Sequence, residues 1–80
     1  MLYEAYDASD FGRSIKRLRR ERTMTQGALA EWLGVSRQTV VSLEQGGPVA
    51  LTVAMRAIAV LGSKAVLAPK RATLAVLETP

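Results

Sequence analysis

The residues of this chain best suited to chemistry lie together near the start of one short predicted helix. Arg37 and Gln38 open that helix, and Val41 and Ser42 follow one turn later on the same outward face. A guanidinium can bond guanine O6 and N7, an amide can pair with adenine, and an apolar side chain can contact the thymine methyl group. A serine hydroxyl can reach a base or a phosphate. These four residues are therefore our candidates for reading base edges in the major groove of DNA.

Positive charge is concentrated upstream of this helix. Of the eleven Lys and Arg residues, six lie between Arg13 and Arg22, and the net charge is +4. Clustered positive charge suits a polyanion, whose condensed counterions are released on binding, although a solvated helix face would give the same pattern. Gln26 stands at a predicted helix N-terminus, where free N–H groups favour a phosphate. The candidate phosphate contacts are Arg13, Lys16, Arg17, Arg20, Gln26 and Thr39.

The composition excludes most catalytic chemistry. The chain has no cysteine and no histidine, which removes thiolate nucleophiles, histidine acid–base catalysis and the usual zinc sites. The seven carboxylates form no convincing catalytic pair, and no glycine-rich phosphate loop is present. We therefore expect no enzyme activity, no metal, no cofactor and no small-molecule substrate. The absence of cysteine fits a reducing cytoplasm, where a DNA-binding protein would associate with the nucleoid.

Two segments raise the question of a membrane. The first ten residues contain three acidic side chains and no apolar core, so no signal peptide is expected. The apolar stretch from Val49 to Ala68 is interrupted by Arg56 and Lys64 and divided by Gly62. An amphipathic helix followed by a strand explains it better than a membrane span.

Hydrophobic periodicity and capping residues predict a mainly α-helical domain after an N-terminal arm (residues 1–6). The predicted helices run from Ala8 to about Arg22, Gln26 to about Leu33, Arg37 to about Gln45, and Val49 or Ala50 to Leu61. In the fourth helix, Leu51, Met55 (or Ala54), Ile58 and Leu61 have core spacing. Gly12, inside the first helix, indicates a close helix contact. Trp32 is best explained by packing, with a subunit or partner surface as the alternative.

The order and spacing of certain residues in these helices resemble those of one protein family. Residues 11–62 are similar to Cro/C1-type (Xre-like) helix-turn-helix proteins. The matching marks are the arginines ending the first helix, Thr25-Gln26, Leu29-Ala30, Leu33-Gly34-Val35-Ser36 and Leu43-Glu44-x-Gly46. The resemblance implies a lambda-repressor-like domain of four to five helices, spanning residues 7–62, whose third helix recognises DNA.

The resemblance also assigns roles to three further residues. It implies that Gln26 clamps the DNA backbone and braces a reader side chain, and that Arg19 pairs with Glu44 to hold the architecture together. The chain departs from the family at Gly27 and Ala28, where acidic or amide residues are usual. We therefore expect no capping box and a looser first turn in the second helix.

The fourth helix, followed at once by Leu61-Gly62 and a short strand in the C-terminal segment (residues 63–80), resembles the HipB-like antitoxin branch of that family. There, a short strand pairs with its copy in a second subunit, and here it would comprise Lys64, Ala65, Val66, Leu67 and Ala68. A second β-like run extends from Ala72 to Leu77. A lone strand has unpaired edges, so a homodimer is physically sensible, and it would present two recognition helices to a palindromic operator.

Several functions stay open at this point. The leading hypothesis is a dimeric, sequence-specific repressor of double-stranded DNA, an antitoxin that represses its own operon and restrains a HipA-like kinase toxin. The alternative is a phage-type or restriction-control regulator without a toxin partner. A protein-interaction module that has lost DNA contact is a third hypothesis, against which the retained Arg37, Gln38 and first-helix arginines argue. An enzyme is the least favoured class.

Overall fold

Four α-helices make up the regular structure of residues 2–71, the part of the chain that the computed structural model describes. They are α1 (Ala8–Glu21), α2 (Gln26–Leu33), α3 (Arg37–Glu44) and α4 (Leu51–Val60). The mainly helical prediction is confirmed, and each predicted boundary lies within two residues of the observed one.

Short polar side chains begin the first three helices. Asp7 accepts a hydrogen bond from the Asp10 N–H at 2.7 Å, Thr25 from the Ala28 N–H at 3.0 Å, and Ser36 from the Thr39 N–H at 3.2 Å. Each bond satisfies one of the N–H groups that an α-helix leaves free at its start. Gly34 ends α2 with φ of 68°, a left-handed conformation that glycine adopts without strain. This glycine makes the abrupt turn that sends α3 across α2.

The core lies where the four helices meet. Ile15 of α1, Leu29 and Leu33 of α2, and Val40 of α3 are almost completely buried. The other buried apolar residues are Ala30, Leu43, Ala54, Ala57, Ile58 and Leu61. Because α2 and α3 contribute to the same core, their relative orientation is fixed by packing as well as by the short turn.

Helices α1 and α3 approach most closely at Gly12, as the sequence indicated. A Cβ atom placed on Gly12 would lie 2.5 Å from the carbonyl oxygens of Leu43 and Glu44. Only a residue without a side chain fits there without displacing backbone atoms. The glycine therefore sets the distance between α1 and the last turn of α3.

The predicted core face of α4 was partly wrong. Leu51 is 75% exposed and Met55 48% exposed, whereas Ala54 and Ala57 are buried beside Ile58. Apolar residues occur nearly all round this helix, so periodicity alone could not tell which face turns inward. The observed face carries two alanines, which allow the helix to approach its neighbours closely.

Trp32 also differs from the expectation of packing, since it is 68% exposed on α2. The predicted strand, residues 64–68, has no regular secondary structure within the single chain. A strand needs a neighbour for its backbone N–H and C=O groups, and this segment lies exposed without one among residues 2–71. The second run, Ala72 to Leu77, lies outside the described residues. None of the helices found between residues 2 and 71 is long and apolar enough to cross a membrane.

Candidate nucleic-acid interface

The N-terminal turn of α3 presents the two longest candidate base readers. Arg37 and Gln38 are exposed directly after the Ser36 cap, and Val41 is half-buried one turn later. An arginine and a glutamine at this place can extend beyond the helix, while α3 itself is anchored by the buried Val40 and Leu43.

The other two polar candidates on α3 bond within the protein. Ser42 donates its hydroxyl to the Pro48 carbonyl oxygen at 3.4 Å, and a Cβ on Gly47 would meet that hydroxyl at 2.5 Å. The Thr39 hydroxyl lies 3.0 Å from that of Ser36. The Ser42 side chain is therefore bonded to the turn between α3 and α4, and the Thr39 side chain is bonded to the N-cap residue of α3. The structure does not group either of them with Arg37.

Gln26 links the reader helix to the start of α2. Its side-chain oxygen accepts a hydrogen bond from an Arg37 guanidinium nitrogen at 3.1 Å, and its side-chain nitrogen donates to Glu44 Oε1 at 3.1 Å. The backbone N–H of Gln26 belongs to the first turn of α2, where N–H groups have no partner within the helix. One residue thus contacts a candidate reader and stands at a place suited to a phosphate.

A buried ion pair holds α1 against α3. Arg19 donates from Nε to Glu44 Oε2 at 2.6 Å and from a terminal nitrogen to Oε1 at 3.0 Å, and both side chains are more than 90% buried. A third donor of Arg19 bonds the Met24 carbonyl oxygen at 2.8 Å, in the loop before α2. The pair is bidentate and fully hydrogen-bonded, the geometry in which a buried ion pair is tolerated.

An open cleft between α1, α2 and α3 gathers the basic and polar groups. It has a volume of about 390 Å³ and is lined by Lys16, Arg19, Arg20, Thr25, Gln26, Gly27 and Arg37. Four of these residues are basic, none is acidic, and Thr25 to Gly27 form the N-terminus of α2. Positive side chains and a positive helix end therefore face the same space, which favours an anion such as a backbone phosphate.

The remaining two basic candidates on α1 have acidic or aromatic neighbours. Arg13 pairs with Asp10 one turn earlier. Arg17 lies 4.3 Å from the centre of the Tyr3 ring, and the Tyr3 hydroxyl donates to Glu21. The hydrogen bond to that carboxylate is the main reason why the pKa of Tyr3 is raised above its ordinary value. Lys16 and Arg20 thus line the cleft, whereas Arg13 and Arg17 do not.

Sequence reasoning missed the contact between the arm and α1. Residues 1–6 show no periodicity, and an aromatic ring over an arginine fourteen positions later has no local signature in the sequence. It also missed the second contact of Glu44, to Gln26. Within the described part of the chain, no three His, Cys, Asp or Glu residues are placed to hold a metal ion.

Residues 10–68 match a family described as helix-turn-helix domain. The chain belongs to the helix-turn-helix domain family. This match covers α1 from its third residue onward and all of α2, α3 and α4. Helices α2 and α3, with the Gly34 turn between them, form the motif for which the family is named. A helix-turn-helix domain is typical of DNA-binding regulators.

The crystal structure of Fe(II)-HppE with the alternative substrate (S)-1-HPP contains a similar part, with 32% sequence identity and a TM-score of 0.65. The similarity covers 76% of this chain but only 32% of that one. This helix-turn-helix domain therefore corresponds to about a third of the longer protein. No curated protein matches the chain.

Proposed function

We propose that this helix-turn-helix domain is a sequence-specific repressor that binds double-stranded DNA. The observation that carries the proposal is the cleft in which Lys16, Arg20, Gln26 and Arg37 converge. In this cleft, basic and polar groups suited to a phosphate lie directly beside the exposed start of α3. We further propose that the chain has no catalytic activity, because it lacks histidine and cysteine.

Binding would follow from this arrangement in two parts. Helix α3 would enter the major groove with Arg37 on a guanine and Gln38 on an adenine, each good bidentate pair giving about 1–3 kcal/mol of discrimination. Lys16, Arg20 and the N-terminus of α2 would hold the phosphates beside the groove and release counterions. The phosphate contacts set the position of the domain, and the α3 side chains select the sequence.

The test begins with the wild-type chain and a library of DNA duplexes with a randomised central segment. Repeated selection should yield a consensus, against which Arg37→Ala and Gln38→Ala are then titrated by gel shift. Each variant should lose specific affinity while keeping most of the salt-sensitive nonspecific affinity. Gln45→Ala, exposed just after α3, is the control and should bind like wild type. Unchanged sequence preference in both reader variants would refute the assignment of α3.

We also propose a homodimer on a palindromic operator, with residues 64–68 as the paired strand. What supports it is apolar surface that the single chain leaves uncovered: Leu67 is 100% exposed, Leu51 75% and Val66 62%. Pairing would satisfy the exposed backbone groups of this segment and cover part of that surface. Val66→Lys and Leu67→Lys, at positions exposed in the single chain, should shift the sedimentation coefficient to that of a monomer. The same result is expected for truncation after Gly62, and an intact dimer in all three variants would refute the proposal.

The finer role we propose is that of a HipB-like antitoxin that represses its own promoter and binds a HipA-like kinase toxin. It rests on the resemblance carried by the fourth helix, Leu61-Gly62 and the short segment that follows. The competing role is a phage-type or restriction-control regulator without a toxin, for which the family match over residues 10–68 is equally suitable. Footprinting on the upstream DNA, with and without the product of the neighbouring gene, separates the two. Extended protection in its presence supports the antitoxin, and an unchanged footprint supports the regulator.

A further inference from the structure

Glu44 contacts more than its ion-pair partner. Its Oε1 atom accepts hydrogen bonds from Arg19 and from the Gln26 amide, and the same amide accepts one from Arg37. A continuous chain of hydrogen bonds therefore runs from a buried carboxylate to an exposed side chain at the start of α3. We propose that Glu44 is a positioning residue for Arg37, acting through Gln26. The proposal rests on the proposed role of Arg37 as a base reader.

The chemistry of the neighbours determines the orientation of the Gln26 amide. Glu44, as a carboxylate, can only accept, and Arg37, as a guanidinium, can only donate. The NH₂ group of Gln26 must therefore turn towards Glu44, and its oxygen towards Arg37. If the amide were rotated by half a turn, two acceptors would meet on one side and two donors on the other. Glu44 thus excludes the amide orientation that would repel Arg37.

The carboxylate is itself held rigidly. Bidentate bonds of 2.6 and 3.0 Å from Arg19 fix its plane, and its side chain is only 3% exposed. Rigid neighbours lower the rotamer entropy that Arg37 loses when it binds a base, because part of that freedom is already lost in the unbound protein. Only one of the five N–H donors of Arg37 is needed for the bond to Gln26, so the guanidinium keeps donors for guanine O6 and N7.

The decisive substitution is Gln26→Met, which keeps the side-chain length but removes both the donor and the acceptor. The backbone N–H groups of α2 and the pair of Arg19 with Glu44 stay in place. The probe is the consensus duplex selected by the wild-type chain, together with duplexes changed at one base pair at a time. We expect discrimination at the base pair read by Arg37 to fall by about fivefold or more, while ratios at the other positions stay constant. Gln45→Met, the same substitution at an exposed site outside the chain of bonds, should change no ratio.

Glu44→Met tests the buried end, because it keeps the side-chain length and removes both acceptor oxygens. It should reduce discrimination at the same base pair, and in an Arg37→Ala background it should have no further effect on that ratio. A purely structural role would instead weaken all duplexes by the same factor and leave every ratio unchanged, which would overturn the proposal. If Glu44→Met does not fold, the decision rests on Gln26→Met and on the exchange of the Gln26 amide protons in the wild type and in Arg37→Ala.

A measurement without DNA keeps the proposal separate from the proposed function. In the NMR spectrum of the wild-type chain, one side-chain N–H proton of Gln26 should exchange slowly with solvent. That protection should persist in Arg37→Ala and disappear in Glu44→Met. Rapid exchange in the wild type would overturn the proposed chain of bonds even if DNA binding is found. If the wild type selects no consensus duplex, the proposed function fails instead, whatever the exchange rate of the Gln26 amide.

Discussion

Replacing Gly12 with alanine has two opposing effects on stability: helix propensity favours alanine, and tertiary packing opposes it. The structure decides which effect is larger. Alanine inside an α-helix is favoured over glycine by about 1 kcal/mol, so α1 considered alone would gain stability. In the folded protein the new Cβ would lie 2.5 Å from two backbone carbonyl oxygens of α3. Separation of the helices by at least about half an ångström is required to reach 3.0 Å, the shortest distance that Cβ atoms tolerate.

The cost of that separation should exceed the gain. Overpacking a close contact costs about 1–3 kcal/mol, and the upper part of this range applies because backbone carbonyls cannot rotate away as a side chain can. After subtraction of the helix-propensity gain, we expect a net loss of about 1–2 kcal/mol in the free energy of unfolding. For a domain of this size, the melting temperature should fall by about 4–16 °C.

The assay is thermal unfolding followed by far-ultraviolet circular dichroism, with Gly27→Ala as the matched control. At Gly27 the nearest neighbour of an added Cβ is the Thr25 hydroxyl, at 3.9 Å, so the same substitution should leave stability unchanged or raise it. Opposite effects of one substitution in two helices would separate packing from propensity. A melting temperature of Gly12→Ala equal to or above that of the wild type would refute the close approach of α1 and α3.

Three further predictions follow from the charged groups. Arg19→Ala should lower the free energy of unfolding by about 3–5 kcal/mol, because it leaves the Glu44 carboxylate buried and unpaired. The exposed Arg20→Ala should change it by less than about 0.5 kcal/mol, and similar losses for the two variants in a denaturant titration would contradict the assignment of the ion pair. Lys16→Ala should reduce the slope of log K for DNA binding against log salt concentration by about 0.9. Arg13→Ala should reduce that slope by less because Arg13 pairs with Asp10, and equal reductions would contradict the division of the basic residues into those that line the cleft and those that do not. In an absorbance titration with Tyr3→Phe to assign the signal, the pKa of Tyr3 should lie above its ordinary value and move back in Glu21→Gln, since the hydrogen bond to Glu21 is its main cause. Because the pKa is raised in the folded protein, the hydrogen bond of Tyr3 to Glu21 is fully formed at neutral pH and is lost as the pH rises through that pKa. An unshifted pKa of Tyr3 would contradict this contact.

The sequence by itself determined the helices and the motif. Asp7, Thr25 and Ser36 are side chains that cap helices through bonds three residues away, and Gly34 supplies a backbone conformation that glycine adopts most easily. These are local interactions, so their signals lie within a few positions of one another. For the same reason the placement of Arg37 and Gln38 at the start of α3 could be predicted.

Only the tertiary structure decided which residues share a site. The basic residues of α1 look equivalent in the sequence, yet Lys16 and Arg20 line the cleft beside Arg37, while Arg13 and Arg17 contact Asp10 and Tyr3. The buried face of α4 was equally undetermined, because an almost uniformly apolar helix gives no sign of which side is covered. These choices depend on the rotation of each helix about its axis and on contacts between distant positions. Local patterns specify neither the rotation nor the distant contacts. Both are set by the close contact of α1 with α3 at Gly12 and by the buried pair of Arg19 with Glu44.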